Sequence, residues 1–170
     1  YNPNTLSSDI ALIRLAQPLS FIANAIQPIL INQSEIVPGK QALISGWGST
    51  LAISPYQTLT NFPSQLQGGT VYVQSNATCS YYFSNVSSQT MSQTMLCAGT
   101  PGFWVDTCKG DSGGPLAILD NGQWKLAGVT SFGRGCAWND PGYYAKVSYF
   151  SSWISSSVGT AQATLTIANT

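Results

Sequence analysis

The sequence predicts an all-β domain, a sandwich or barrel, finished by one short helix. Three observations carry this expectation. Runs rich in β-branched and aromatic residues recur between clusters of Gly, Pro, Asn and Ser, a spacing typical of many short strands. Asp120-Asn121-Gly122 separates two of those runs, and Asn-Gly favours a tight hairpin because both of its positions accept positive φ. Hydrophobic residues make up 44% of the 170, enough for a buried core, while only 7% are charged, against about 25% in an ordinary soluble protein. The polar remainder is mostly Ser, Thr, Asn and Gln, which suits the outer faces of sheets.

Taken in order, the expected strands are Ile10–Leu15, Gln41–Trp47, Thr70–Gln74, Pro115–Leu119, Gln123–Phe132 and Tyr143–Val147. Between the first two lies the densest apolar stretch, Phe21 to Ile31, broken by Asn24, Gln27 and Pro28. It falls short of the ~18 apolar residues that a membrane helix needs. Pro115 to Phe132 is the firmest hairpin. Ser148 is placed to cap the single expected helix, whose Tyr149, Phe150, Trp153 and Ile154 recur at helical spacing. Beyond it, Ser155 to Gly159 reads as a flexible exit and Ala163–Ala168 as an extra strand or the start of a neighbouring unit.

Six basic and six acidic residues cancel, and no Lys/Arg cluster occurs. That excludes the electrostatic footprint of a nucleic-acid binder or of a protein drawn to anionic membrane surfaces. Four cysteines, no Cys-X-X-Cys pair and no His favour two disulfides and an oxidising compartment over a zinc site, with three connectivities open.

The most specific string is Gly110-Asp111-Ser112-Gly113-Gly114-Pro115. A nucleophilic hydroxyl has to sit on a tight turn whose neighbouring N–H groups point at the oxygen that gains charge during acyl transfer. Glycines on both sides make such a turn accessible. A bare Ser-Gly-Gly is more often an ordinary glycine loop; the six-residue string is far more restrictive.

With this string, the chain resembles the trypsin and chymotrypsin family of serine endopeptidases. Asp9-Ile10-Ala11-Leu12-Ile13-Arg14-Leu15 is similar to the segment that carries the family's triad aspartate, and Gly46-Trp47-Gly48 to the opening of its second barrel. Asp106 through Pro115 resembles the nucleophile loop. Ser131-Phe132-Gly133, Gly135-Cys136 and Pro141-Gly142-Tyr143-Tyr144 resemble the substrate-binding wall. All stand in family order from Tyr1 to about Ser157. The resemblance implies a trypsin-like double β-barrel. This chain would hold its complete C-terminal barrel (41–147), a C-terminal helix (148–157), an interdomain linker (31–40) and only the last part of the N-terminal barrel (1–30). A tail of unassigned role would follow at 158–170.

The resemblance also implies roles. Ser112 would be the nucleophile and Asp9 the carboxylate that orients a histidine, with the N–H groups of Gly110 and Ser112 as oxyanion hole. Asp106 would be the acid at the base of a slot for Lys or Arg, because a desolvated carboxylate is costly until a cation reaches it. Gly133 and Gly142 would keep that slot open, and Thr107, Lys109, Ser131, Phe132 and Gly135 would line it. Thr107 stands where Ser is common and Phe132 where Trp is usual; Lys109, where Gln is frequent, would make acidic residues near the scissile bond better tolerated. Asp111 would pair with the α-ammonium freed by proteolytic activation, a partner expected to be missing from a chain starting at Tyr1. The implied bridges are Cys79–Cys97 and Cys108–Cys136, each contributing roughly 3–4 kcal/mol in the loop-entropy model.

One part of the pattern is absent, since the family's catalytic histidine has no counterpart in a chain without His. The expectation is therefore the C-terminal portion of a secreted serine endopeptidase cleaving protein or peptide substrates after Lys or Arg, inactive by itself. The alternative is a non-catalytic binding protein on the same fold. Protein inhibitors are further expected partners, and no metal or organic cofactor is implied. The triplets Asn32-Gln33-Ser34, Asn76-Ala77-Thr78 and Asn85-Val86-Ser87 match the N-glycosylation pattern but arise easily in a Ser/Thr/Asn-rich chain.

Overall fold

The computed structural model describes residues 1–52 and 54–158. Seven strands run in the spatial order β1-β6-β5-β2-β3-β4-β7. They are β1 (Leu30–Ile31), β2 (Gln41–Gly46), β3 (Gln67–Val73), β4 (Met95–Gly99), β5 (Pro115–Asp120), β6 (Gln123–Phe132) and β7 (Gly142–Lys146). Antiparallel pairing of β6 with β7 closes six of them into a barrel. Only β1, parallel to β6, lies outside the ring.

The pattern of the strands dictates the closure. Ala42 and Ile44 of β2 and Val71 and Val73 of β3 alternate inward, as side chains of a half-buried strand must. They meet Leu96, Ala98, Leu116, Ile118, Ala127 and Tyr144 in one core. Asn121 (φ 50°) and Gly122 (φ 75°) make the hairpin between β5 and β6, as their sequence predicts.

Two elements were invisible in the sequence. Every residue of β4 is buried, so Met-Leu-Cys-Ala-Gly shows no alternation. Its outer side is covered by α1 (Asn76–Phe83): Cys79 and Phe83 cluster with Met95, Cys97 and Tyr143, and the Cys79–Cys97 disulfide staples helix to strand. The start of α1 is marked by Ser75, whose Oγ accepts from the Thr78 N–H at 3.0 Å.

Three expectations are corrected. Ile10–Leu15 forms no strand; Ile13 is 87% exposed, Leu12 and Leu15 are exposed, and no strand among the described residues offers them an edge. Ser148 is not a cap, because α2 (Val147–Val158) begins one residue earlier, directly after β7, and the Ser148 hydroxyl is buried in its first turn without a partner among the described residues. Ser155 to Val158, expected as part of a flexible exit, is the last turn of α2. The expected strand at Ala163–Ala168 and the tail after Val158 lie outside the described residues. No helix among the described residues is long and apolar enough to cross a membrane.

Candidate active site

Ser112 sits on the turn that leads into β5. Within it the N–H of Asp111 bonds to Cys108 O at 2.9 Å, that of Gly113 to Thr130 O at 2.9 Å, and that of Gly114 to Asp111 O at 2.8 Å. Among the described residues, the N–H groups of Gly110 and Ser112 have no acceptor in the protein. The turn depends on Gly110 (φ 97°) and Gly113 (φ 83°), backbone positions that other residues reach only with strain. The result is an exposed hydroxyl beside two free backbone donors.

Ser112 lines a cleft of about 280 Å³ together with Thr107, Lys109, Ser131, Phe132, Gly133 and Gly135. The pairing of β6 with β7 is irregular between Thr130 and Phe132. A bulge of this kind re-aims a side chain, and here it frees Ser131 from the ladder. The Ser131 hydroxyl donates to Asp9 Oδ2 at 2.6 Å, which brings a carboxylate from the other end of the chain to the cleft wall. Asp9 is anchored locally: the N–H of Ser8 bonds to Thr94 Oγ1 at 3.2 Å, and Leu6 packs against the cluster under α1.

Asp106 is not among the residues lining this cleft; with Asp111 it lines a smaller cavity of about 120 Å³, which the neighbouring Thr107 also borders. Its Oδ1 accepts from the Thr107 N–H at 2.8 Å and its Oδ2 from the Ala137 N–H at 3.2 Å. A Cβ on Gly142 would strike the carboxylate, and one on Gly133 would come within 3.9 Å of Oδ2. Desolvation raises the Asp106 pKa to about 6, against the pull of the two backbone donors, and the charge of Asp111 adds to the rise. No ion pair among the described residues involves this carboxylate. Thr107 keeps its hydroxyl 3.4 Å from the Tyr144 OH, and burial pushes the Tyr144 phenol up.

Asp111 accepts from the Gly48 N–H at 2.8 Å and the Cys108 N–H at 2.9 Å. A side chain on Gly46 or Gly48 would collide with its carboxylate, which explains both glycines of Gly46-Trp47-Gly48. The ion pairs among the described residues are Lys125–Asp120, Arg134–Asp140 and Lys146–Glu35, and Asp111 belongs to none. Lys109 points its ammonium at the Gln57 carbonyl, 3.3 Å away.

The exposed turn of Ser112, the Asp9 carboxylate bonded to Ser131 and the desolvated Asp106 stand in a chain with known relatives. The sequence model of the Trypsin family matches residues 1–154. The chain belongs to the trypsin family. It is 40% identical over 160 residues to Serine protease 41 of Homo sapiens, an alignment that covers 90% of this chain and 49% of that protein. With trypsin alpha of Drosophila melanogaster it shares 41% identity over 155 residues, covering 91% of this chain and 56% of that one. The solved structure of neuropsin, described as a serine protease expressed in the limbic system of mouse brain, superposes with a TM-score of 0.71 at 28% identity, covering 84% of this chain and 59% of that one. The chain thus spans about half the length of the curated relatives it matches.

Within this trypsin-family chain, one group that sequence reasoning passed over shapes the cleft wall. The carboxylate of Asp140 is buried. It accepts from Arg134 Nε and, at 3.1 Å, from Asn85 Nδ2 at the end of α1. That clasp closes the loop carrying Gly135, Cys136 and the Ala137 donor of Asp106, and the Cys108–Cys136 disulfide ties the same loop to the turn of Ser112. Its only sequence signal was an Arg and an Asp six positions apart in a loop, which is too common to single out.

Proposed function

We propose that this chain carries the nucleophile and the specificity slot of a secreted serine endopeptidase that hydrolyses peptide bonds after Lys or Arg. The observation behind the reading is that Ser131, which lines the same cleft as Ser112, donates its hydroxyl to the carboxylate of Asp9 from the start of the sequence. The Ser112 oxygen attacks the substrate carbonyl carbon and passes its proton to a histidine, while the oxygen that becomes negative accepts from the N–H groups of Gly110 and Ser112. Collapse expels the amine and leaves an acyl group on Ser112, which water removes by the same route. Asp9 orients the histidine and steadies its charged form. The histidine is not among these 170 residues, and the greater length of the relatives accommodates it.

The raised pKa of Asp106 supports the basic preference: an arginine or lysine reaching past Gly133 supplies the cation that the desolvated carboxylate lacks. Asp111, held by backbone donors in the smaller cavity, is suited to take an ammonium group there. In this reading residues 1–30 complete a first barrel, 31–40 link it to the barrel of 41–146, helix Val147–Val158 follows, and 159–170 keep no assigned role. The two disulfides favour an oxidising, extracellular setting. Protein substrates and protein inhibitors share the cleft.

The test uses the full-length protein. It is expected to hydrolyse an arginine anilide far faster than the phenylalanine analogue, and Ser112→Ala is expected to remove that activity by several orders of magnitude with unchanged thermal stability. A folded full-length protein that binds the anilide without turning it over would favour the non-catalytic binding reading instead.

A further inference from the structure

We propose that Asn76 is the residue at which this protein carries an N-linked oligosaccharide, and that the fold rejects the other two Asn-X-Ser/Thr triplets. The sequence treats the three alike. A bulky, hydrophilic glycan must remain in solvent, so burial and prior use of the Asn amide separate them.

Asn32 is only 3% exposed. Its Nδ2 donates to Ser34 O at 2.6 Å, and its backbone N–H bonds to Leu126 O at 2.9 Å. A sugar on Nδ2 would have to break into the β6 side of the barrel. Asn85 is exposed, but its Nδ2 is the donor that holds the buried Asp140 carboxylate behind the cleft wall. A sugar on that nitrogen would be driven against the clasp with Arg134.

Asn76 differs on each count. It is exposed at the first position of α1, and no hydrogen bond among the described residues engages its side chain. Its surface neighbours include Glu35, Ser80, Gln93 and Tyr149, and none of these lines the Ser112 cleft. A glycan there leaves the cleft open. The triplet is also accessible during folding, because α1 has only 8 residues, and an isolated helix so short is marginal. Asn76-Ala77-Thr78 is therefore not held in a helix of its own before α1 packs on β4.

In the transfer, Nδ2 of Asn76 forms a bond to C1 of the terminal sugar of a lipid-pyrophosphate oligosaccharide. The bond from C1 to the pyrophosphate oxygen breaks, the lipid pyrophosphate leaves, and the amide proton passes to a base of the transferase. The proposal rests on the secretory route of the reading above and not on its catalytic part.

For the test, full-length protein and its Asn76→Gln variant are secreted from a glycosylating eukaryotic cell, and the folded fraction is treated with peptide-N-glycosidase in heavy-oxygen water and mapped by mass spectrometry. Heavy Asp at position 76 is expected, with none at 32 or 85. The variant is expected to lose the glycosidase-sensitive gel shift while keeping both disulfides and the same anilide hydrolysis. An unmodified Asn76 in folded, secreted protein overturns the proposal, even where anilide cleavage is normal, and so does occupancy of Asn32 or Asn85. Should secretion fail, translation into microsomes decides: glycan on Asn76 supports the proposal and a vacant Asn76 overturns it.

Discussion

Gln41–Gly46 and Ile10–Leu15 are both short, β-favouring and bounded by turn residues, yet only the first is a strand. β2 is paired on both sides, by β3 along its whole length and by β5 from Ala42 to Ile44. Ile10–Leu15 has no strand partner among the described residues, and its Leu12, Ile13 and Leu15 side chains stand in solvent. The difference teaches that strand character here is conferred by neighbours, since a lone extended segment buries too little apolar surface to offset the entropy of ordering it. It also separates what holds the molecule together from what serves the site. The barrel supplies stability, whereas the segment around Asp9 is attached through Leu6, Ser8 and the Ser131 hydroxyl.

The largest expected effect would break this comparison if it failed. Leu116 is fully buried in the barrel, and Leu116→Ala is expected to lower stability by about 2–5 kcal/mol. Ile13→Ala, at a site 87% exposed, is expected to change it by less than about 0.5 kcal/mol. Urea unfolding of both variants checks the pair. An equal loss from Ile13→Ala would mean that the segment is packed in solution.

A smaller effect sharpens the contrast inside the barrel, where the functional end is held at an energetic cost. The Asp106 pKa lies at about 6 in the folded chain against an ordinary 3.8. Across that window the folded state holds a proton that the unfolded state releases, so stability falls as pH rises from about 4 to above 6, by up to about 3 kcal/mol. Asp106→Asn is expected to flatten this slope and to raise stability at neutral pH, as read by thermal unfolding across pH. The smallest effect concerns α1: Ser75→Ala removes the oxygen that takes the Thr78 N–H and is expected to cost about 1 kcal/mol. A loss several times larger would show that α1 carries more of the barrel than its two buried residues imply.

How much was legible follows the same physics. Strands with one face in the core, β2, β3 and the β5–β6 hairpin, announce themselves by alternation and by Asn-Gly. β4 does not, because α1 covers its outer side and all five residues are apolar or small. α1 was hidden because a disulfide and two buried residues stabilise it, not an amphipathic stripe. In the site, the turn around Ser112 could be read directly from its glycines. The roles of Gly46 and Gly48 needed coordinates, since they depend on where the Asp111 carboxylate lands. The clasp among Asp140, Arg134 and Asn85 needed them too, because it joins a loop to a helix end 55 positions earlier.

The central claim is that Ser112 is a nucleophile beside a slot for a basic side chain. The most direct measurement treats the full-length protein with a phosphonate ester bearing a guanidinium group and locates the adduct by peptide mass spectrometry. The account predicts a single phosphonyl group on Ser112, formed more slowly when a benzamidinium salt competes for Asp106. Folded full-length protein that takes no label, or takes it on another residue at a rate the competitor does not change, would contradict it.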